Sequence, residues 1–185
     1  MAIARLNLPT VLSLSRIVII PLFIYVTPNH NVLGAAIFAL ASVTDFLDGY
    51  LARRKGQITT FGIIIDPIAD KFLVISALFL LVDMGRLSVL PAVIITVREF
   101  LVTALRGVAL AKDIVIKAEM GGKLKVGAQI TAVICLILGW DVLGIDFFDL
   151  GIAAIWISVV LGVVSGVQYI VAFWRRLAAE TGQCG

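Results

Sequence analysis

Apolar residues run along this chain in six long stretches, near 10–27, 32–53, 60–82, 88–110, 124–143 and 150–174, separated by short polar turns. Each approaches the roughly 20 residues an α-helix needs to cross the hydrocarbon of a bilayer. Continuous runs favour helices over a barrel, because a helix satisfies its backbone N–H and C=O groups within the segment. The pattern predicts an all-α integral membrane protein, a bundle of about six transmembrane helices. With 61% hydrophobic residues and a mean hydropathy of +1.11, the chain carries more apolar surface than a soluble domain of 185 residues can bury. That length predicts one domain over 1–185.

Net charge is only +3, but its distribution is uneven. Arg5, Arg53-Arg54-Lys55, Lys112, Lys117, Lys123, Lys125, Arg175 and Arg176 alternate with turns at Asn29–Asn31, Asp83–Ser88 and Asp141–Asp149 that hold only Arg86. Positive loops stay inside, so both termini are expected in the cytoplasm. The segment from Asn7 to Arg16 starts polar and turns apolar, which predicts a short N-terminal interfacial segment with Thr10 as helix N-cap. Arg5 before an apolar run imitates a signal peptide, but no small-x-small cleavage site precedes Pro28, so this run is taken as the first span. Cys135 lies mid-span and Cys184 near the end, which predicts a packing thiol and a tail thiol rather than a disulfide.

Against this hydrocarbon background, Asp45, Asp48, Asp66 and Asp70 need an explanation. On helices, Asp45, Asp48 and Ala52 fall at i, i+3 and i+7, and Gly62, Asp66 and Asp70 at i, i+4 and i+8, so each set lines one face. Four uncompensated carboxylates deep in a membrane would cost about 10 kcal/mol on insertion scales. A cation is the expected partner, and an all-oxygen donor set without Cys or His suits Mg²⁺ or Mn²⁺. Two such ions can share four carboxylates and clamp a phosphoryl group. The linking stretch Ala52-Arg53-Arg54-Lys55-Gly56-Gln57-Ile58-Thr59-Thr60 is basic with hydroxyls and suits a diphosphate. Gly49 and Gly62 would admit a nucleotide or a second helix backbone. A water-filled cation path remains the alternative use of the four aspartates.

Asp45-x2-Asp48-Gly49-x2-Ala52-Arg53-x8-Gly62-x3-Asp66-x3-Asp70 resembles the signature of the CDP-alcohol phosphotransferase family without a departure. The resemblance implies that Asp45, Asp48, Asp66 and Asp70 bind two metal ions, Mg²⁺ or Mn²⁺, and that Asp70 is also the general base. It implies CDP-diacylglycerol contacts at Gly49, Ala52, Arg53, Thr59 and Gly62, and a homodimer. Thr10, Ser13 and Arg16 stand in an opening similar to that of bacterial members, where Thr10 and Ser13 replace an Asn and a Thr and keep nucleotide contacts plausible.

Farther along, Arg98 and Glu99 are adjacent and so are expected on different faces, each with its own partner. Arg98 and Arg106 share a face two turns apart, with Arg98 about 15 Å deep at 1.5 Å per residue. After Ala111 comes the longest polar stretch, in which Gly121-Gly122 interrupt the chain before Lys123-Leu124-Lys125, and Gln129 follows one turn later. These lysines are either a solvated membrane anchor or, with Arg106, a phosphate pocket. Arg98-Glu99-Phe100, Leu105-Arg106 and Gly122-Lys123-x-Lys125 with Gln129 resemble the branch of the family that uses sn-glycerol 3-phosphate and makes phosphatidylglycerophosphate. Val126 stands where that branch often has Thr, one hydroxyl fewer. The branch resemblance implies acceptor-phosphate contacts at Arg16, Arg98, Arg106, Lys123 and Lys125. It also implies a multi-pass protein of a bacterial inner membrane, its active site facing the cytoplasm, with no nucleic-acid partner.

Elimination agrees on the kind of base. His30, the sole histidine, falls in a turn across the membrane from the basic loop, and no serine sits in a nucleophile-elbow setting. A carboxylate remains. Lys71 is expected to tether a carboxylate, Pro67 to bend or loosen the third span, and Gly162-x3-Gly166 to pack helices closely. Inositol phosphate or phosphatidylglycerol as acceptor, and a cation transporter from another class, stay open as alternative functions. A transporter commonly shows internal repeats, and the aspartate pattern occurs once.

Overall fold

The computed structural model describes residues 18–55, 60–111, 121–139, 141–142 and 145–181, with side chains over 18–44, 71–109, 125–139 and 146–177. Within them lie six helices, one for each apolar stretch. Helix α1 is described over 18–26, followed by α2 (Asn31–Lys55), α3 (Thr60–Asp83), α4 (Val89–Ala111), α5 (Gly121–Leu138) and α6 (Phe147–Thr181). A two-residue antiparallel ladder, β1 (Asp141–Val142) with β2 (Ile145–Asp146), closes the turn from α5 to α6 and pairs Asp141 with Asp146. The helical expectation holds apart from this small hairpin. Helix α3 continues as one element through Pro67, and Gly121-Gly122 open α5 rather than interrupt it.

Helix α5 is central: it packs along α6 and also meets α2 and α3, while α4 bridges α3 and α6. Leu78 and Leu81 of α3, Leu136 and Ile137 of α5 and Ile155 of α6 are fully buried together with Phe23 and Phe38, whose rings lie 5.7 Å apart. Gly151 sets the closeness of α5 and α6. A Cβ there would stand 2.7 Å from Leu136 Cγ and 3.2 Å from the Leu136 backbone nitrogen. Cys135 is buried, as expected of a packing thiol. Outward faces are apolar too, with Tyr25, Leu40, Val97, Phe100, Val160 and Trp174 among the exposed large side chains. Among the described residues, Phe147–Leu177 of α6 is long and apolar enough to cross a membrane by length and composition. Helix α4 instead carries Arg98, Glu99 and Arg106 within its 23 residues.

Helix ends near the turn after α3 are closed by side chains. Asp146 Oδ1 accepts from the Phe148 and Asp149 amides at 2.8 and 3.3 Å, an N-cap for α6. Gly139, at φ 58°, ends α5 and donates to Cys135 O at 2.9 Å. Arg86 reaches across from the α3–α4 turn and donates to Leu136 O at 3.1 Å and to Ile137 O, satisfying carbonyls that the helix leaves free. With its amide oxygen turned toward Arg86, Asn31 accepts from Nη2 at 2.8 Å and ties in the start of α2. Replacing Arg86 with Ala should therefore cost about 1–3 kcal/mol. Thermal unfolding in detergent should show a lowered Tm, with the KM values of the remaining active protein unchanged.

Candidate active site

Asp45 and Asp48 lie in the C-terminal half of α2, and Asp66 and Asp70 in the N-terminal half of α3. Residues 56–59, between the two helices in sequence, lie outside the described residues. The backbone thus carries the two acidic pairs on consecutive helices. The side chains of Asp45, Asp48, Gly49, Ala52, Arg53, Gly62, Asp66, Asp70 and Lys123 lie outside the described residues, as do Thr10, Ser13, Arg16 and Thr59 entirely.

Described side chains resume one residue after Asp70. Lys71 of α3 points across to α4, where its Nζ donates to Glu99 Oε2 at 2.6 Å and approaches Glu99 O at 3.4 Å. This is the carboxylate tether expected for Lys71. Arg98 Nη1 donates to Glu99 Oε1 at 3.0 Å, and Lys125 Nζ of α5 donates to the same oxygen. One carboxylate, itself 12% exposed, thereby gathers cations from three helices.

Two expectations change here. Arg98 and Glu99 do pair, although consecutive residues diverge by about 100° around a helix. Both side chains are long enough to bend into the groove shared with α3, α5 and α6, and α6 fixes the direction of the arginine. Arg98 Nε donates to Gly162 O at 2.9 Å and Nη2 to Ser165 Oγ at 2.7 Å, which leaves Nη1 facing Glu99. Lys125 is 3% exposed and so is no solvated anchor. Starting α5 at Gly121 turns Lys125 toward α4 and α6 one turn in, where Glu99 neutralises it.

Helix α6 is more than scaffold. A Cβ on Gly162 would meet Lys125 Cδ at 3.6 Å and Arg98 Cδ at 3.8 Å, and one on Gly166 would meet Arg98 Cγ at 3.6 Å. The small-residue spacing serves packing as expected, but what it accommodates is the aliphatic stems of two cations. Ser158, Gly162, Ser165, Gly166 and Tyr169 recur at i, i+4, i+7, i+8 and i+11 among valines. That small and polar stripe is the signal by which Gly162, Ser158 and Ser165 could have been found. A cavity of about 10 Å³, room for one water, is lined in part by Arg98, Glu99, Lys125 and Ser158. Ser158 Oγ and Gln129 Nε2 are buried without a hydrogen-bond partner among the described residues. Arg106 is exposed toward the end of α4, with its guanidinium carbon 6.0 Å from the Tyr169 ring centroid.

An acidic helix pair followed directly by a cationic cluster suits chemistry on one phosphate group while a second phosphate is held nearby. Residues 6–164 match the family model of CDP-alcohol phosphatidyltransferase, and the chain belongs to that family. It is 37% identical over 190 aligned residues to the CDP-diacylglycerol–glycerol-3-phosphate 3-phosphatidyltransferase of Bacillus subtilis, with 92% of this chain and 97% of that protein covered. Proteins of the same name from Rickettsia typhi and Sodalis glossinidius are 38% and 39% identical, with 88% and 91% of this chain and 94% and 95% of theirs covered.

Proposed function

We infer that this protein transfers the phosphatidyl group of CDP-diacylglycerol to sn-glycerol 3-phosphate, releasing CMP and forming phosphatidylglycerophosphate in phospholipid biosynthesis. The observation that carries this is near full-length similarity to relatives whose name states that reaction. The cationic cluster beside Asp70 supports a phosphorylated acceptor rather than a neutral alcohol. Inositol phosphate would satisfy the same charges, so the acceptor rests on the relatives.

Asp45, Asp48, Asp66 and Asp70 form an all-oxygen donor set that fits Mg²⁺ or Mn²⁺, and they would hold two ions. When bound, such ions neutralise the diphosphate and stabilise the charge of the leaving CMP. Asp70 takes the proton from the acceptor hydroxyl. The hydroxyl oxygen bonds to the lipid-side phosphorus as the bond from that phosphorus to the CMP oxygen breaks. On this reading Arg53 and Thr59, with Thr10 and Ser13, serve the nucleotide, and the small residues Gly49, Ala52 and Gly62 would leave room for it. On this reading Arg98, Lys125 and Lys123, with Arg16 and Arg106, serve the acceptor's phosphate.

The bundle is read as crossing a bacterial inner membrane six times, with both termini and the active site on the cytoplasmic side and residues before α1 along the interface. Apolar outward faces, the long apolar α6 and the alternation of Lys and Arg between turns support this. A homodimer follows from the family resemblance alone. The test is CMP release by purified protein in detergent with CDP-diacylglycerol. Release should require both Mg²⁺ or Mn²⁺ and glycerol 3-phosphate, and stop with EDTA. Ion flux in vesicles without CMP release would replace this account with a transporter.

A further inference from the structure

We propose that Glu99 is a positioning residue for the acceptor: it holds the Lys71, Arg98 and Lys125 head groups at one point, where they meet the acceptor's phosphate. The proposal rests on the acceptor reading above and deepens it. Nothing in the transfer reaction itself calls for an acid at this place, yet Glu99 is mostly buried and contacts all three cations.

Charge shows what the carboxylate does. Three cations brought together in an apolar bundle would repel one another and be costly to desolvate. Glu99 offsets one of the three charges and accepts hydrogen bonds from all three head groups, so it can keep them together. The three cations outnumber the one carboxylate they share. A phosphate monoester carries close to two negative charges near neutral pH. The cluster is therefore stable enough to persist without ligand and still positive enough to attract one.

Geometry adds a restriction on how the cations can act. Arg98 is committed on three sides, to Gly162 O, Ser165 Oγ and Glu99 Oε1, so its guanidinium is fixed relative to α6 and can present only its remaining N–H groups. Lys71 and Lys125 enter from α3 and α5 with flexible stems that impose no direction. Their shared hold on Glu99 registers them against Arg98. Lys71 is also covalently next to Asp70, so the same contact registers the acceptor's phosphate against the residue that receives its hydroxyl proton.

Steady-state kinetics of Glu99→Gln, Glu99→Asp and the Glu99→Gln/Lys125→Met pair in detergent-purified full-length protein tests this. Glu99→Gln should raise the KM for glycerol 3-phosphate by on the order of 10- to 100-fold, leaving the KM for CDP-diacylglycerol within about twofold. Glu99→Asp keeps the charge and should recover a large part of that loss, and it decides the matter if Glu99→Gln yields no active protein. In the Lys125→Met background, Glu99→Gln should add much less than it does alone. A rise in both KM values together, no recovery by Asp, or independent effects of Glu99 and Lys125 would each overturn the proposal. Wild-type protein that makes CMP with glycerol 3-phosphate while Glu99→Gln behaves normally would sink this inference alone. Wild-type protein inactive with that acceptor would sink the functional reading beneath it.

Discussion

Asp70→Asn should lose turnover by about 10²- to 10⁴-fold, the range that a positioned general base contributes. The amide keeps the size of the side chain and one oxygen, but it cannot take the proton of the attacking hydroxyl. It also removes one of four negative charges from the proposed metal site, so part of the loss should appear as weaker metal activation. Titrating Mn²⁺ at saturating substrates separates the two effects. A base defect persists at saturating Mn²⁺, whereas a purely ligating role is recovered by more metal. Wild-type kcat in Asp70→Asn would remove Asp70 from the reaction.

The second large effect is expected at Arg98. Arg98→Ala deletes the bonds to Gly162 O, Ser165 Oγ and Glu99 and empties the bed over Gly162 and Gly166. Loss of a largely buried arginine with these partners should cost about 2–4 kcal/mol. The figure stays below the extreme for broken buried pairs because Glu99 keeps Lys71 and Lys125 as counter-ions. Acceptor KM should rise as well, since the one cation with a fixed direction is gone. Arg98→Lys retains the charge but replaces the planar fork by a single ammonium, which cannot span α6 and Glu99 together. It should therefore rescue neither Tm nor acceptor KM fully. Parity of Arg98→Lys with wild type in both would mean that α6 does not orient this residue.

What could be read from sequence follows from what each feature costs. Apolar stretches announce helices because polar backbone in an apolar surrounding must be satisfied locally, and all six stretches do carry helices. Their ends were less legible. Helix α6 begins at Phe147, where Asp146 caps it, and runs on through Arg175 and Arg176 to Thr181. Hydropathy alone stops earlier because those residues are no longer apolar. The aspartates stood out for a related reason, since acidic groups in such stretches are expensive without a partner.

Partner choice was the part hidden from view. A helical projection separates Arg98 from Glu99, and only the positions of Gly162 and Ser165 on another helix show why the two side chains bend together. The charged sequence neighbours of Lys125 suit an anchor as well as a pocket, while its environment is set by distant residues. Arg86 is a similar case: its carbonyl partners lie at Leu136 and Ile137, some 50 positions along the chain.

Transfer of label from [¹⁴C]glycerol 3-phosphate into lipid by the purified protein, in mixed micelles of detergent and CDP-diacylglycerol, is the most direct trial of the whole account. Labelled phosphatidylglycerophosphate should form in equal amount to released CMP, and labelled inositol phosphate offered under the same conditions should stay in the aqueous phase. Label entering lipid from inositol phosphate as readily as from glycerol 3-phosphate, or CMP released with neither acceptor incorporated, would contradict it.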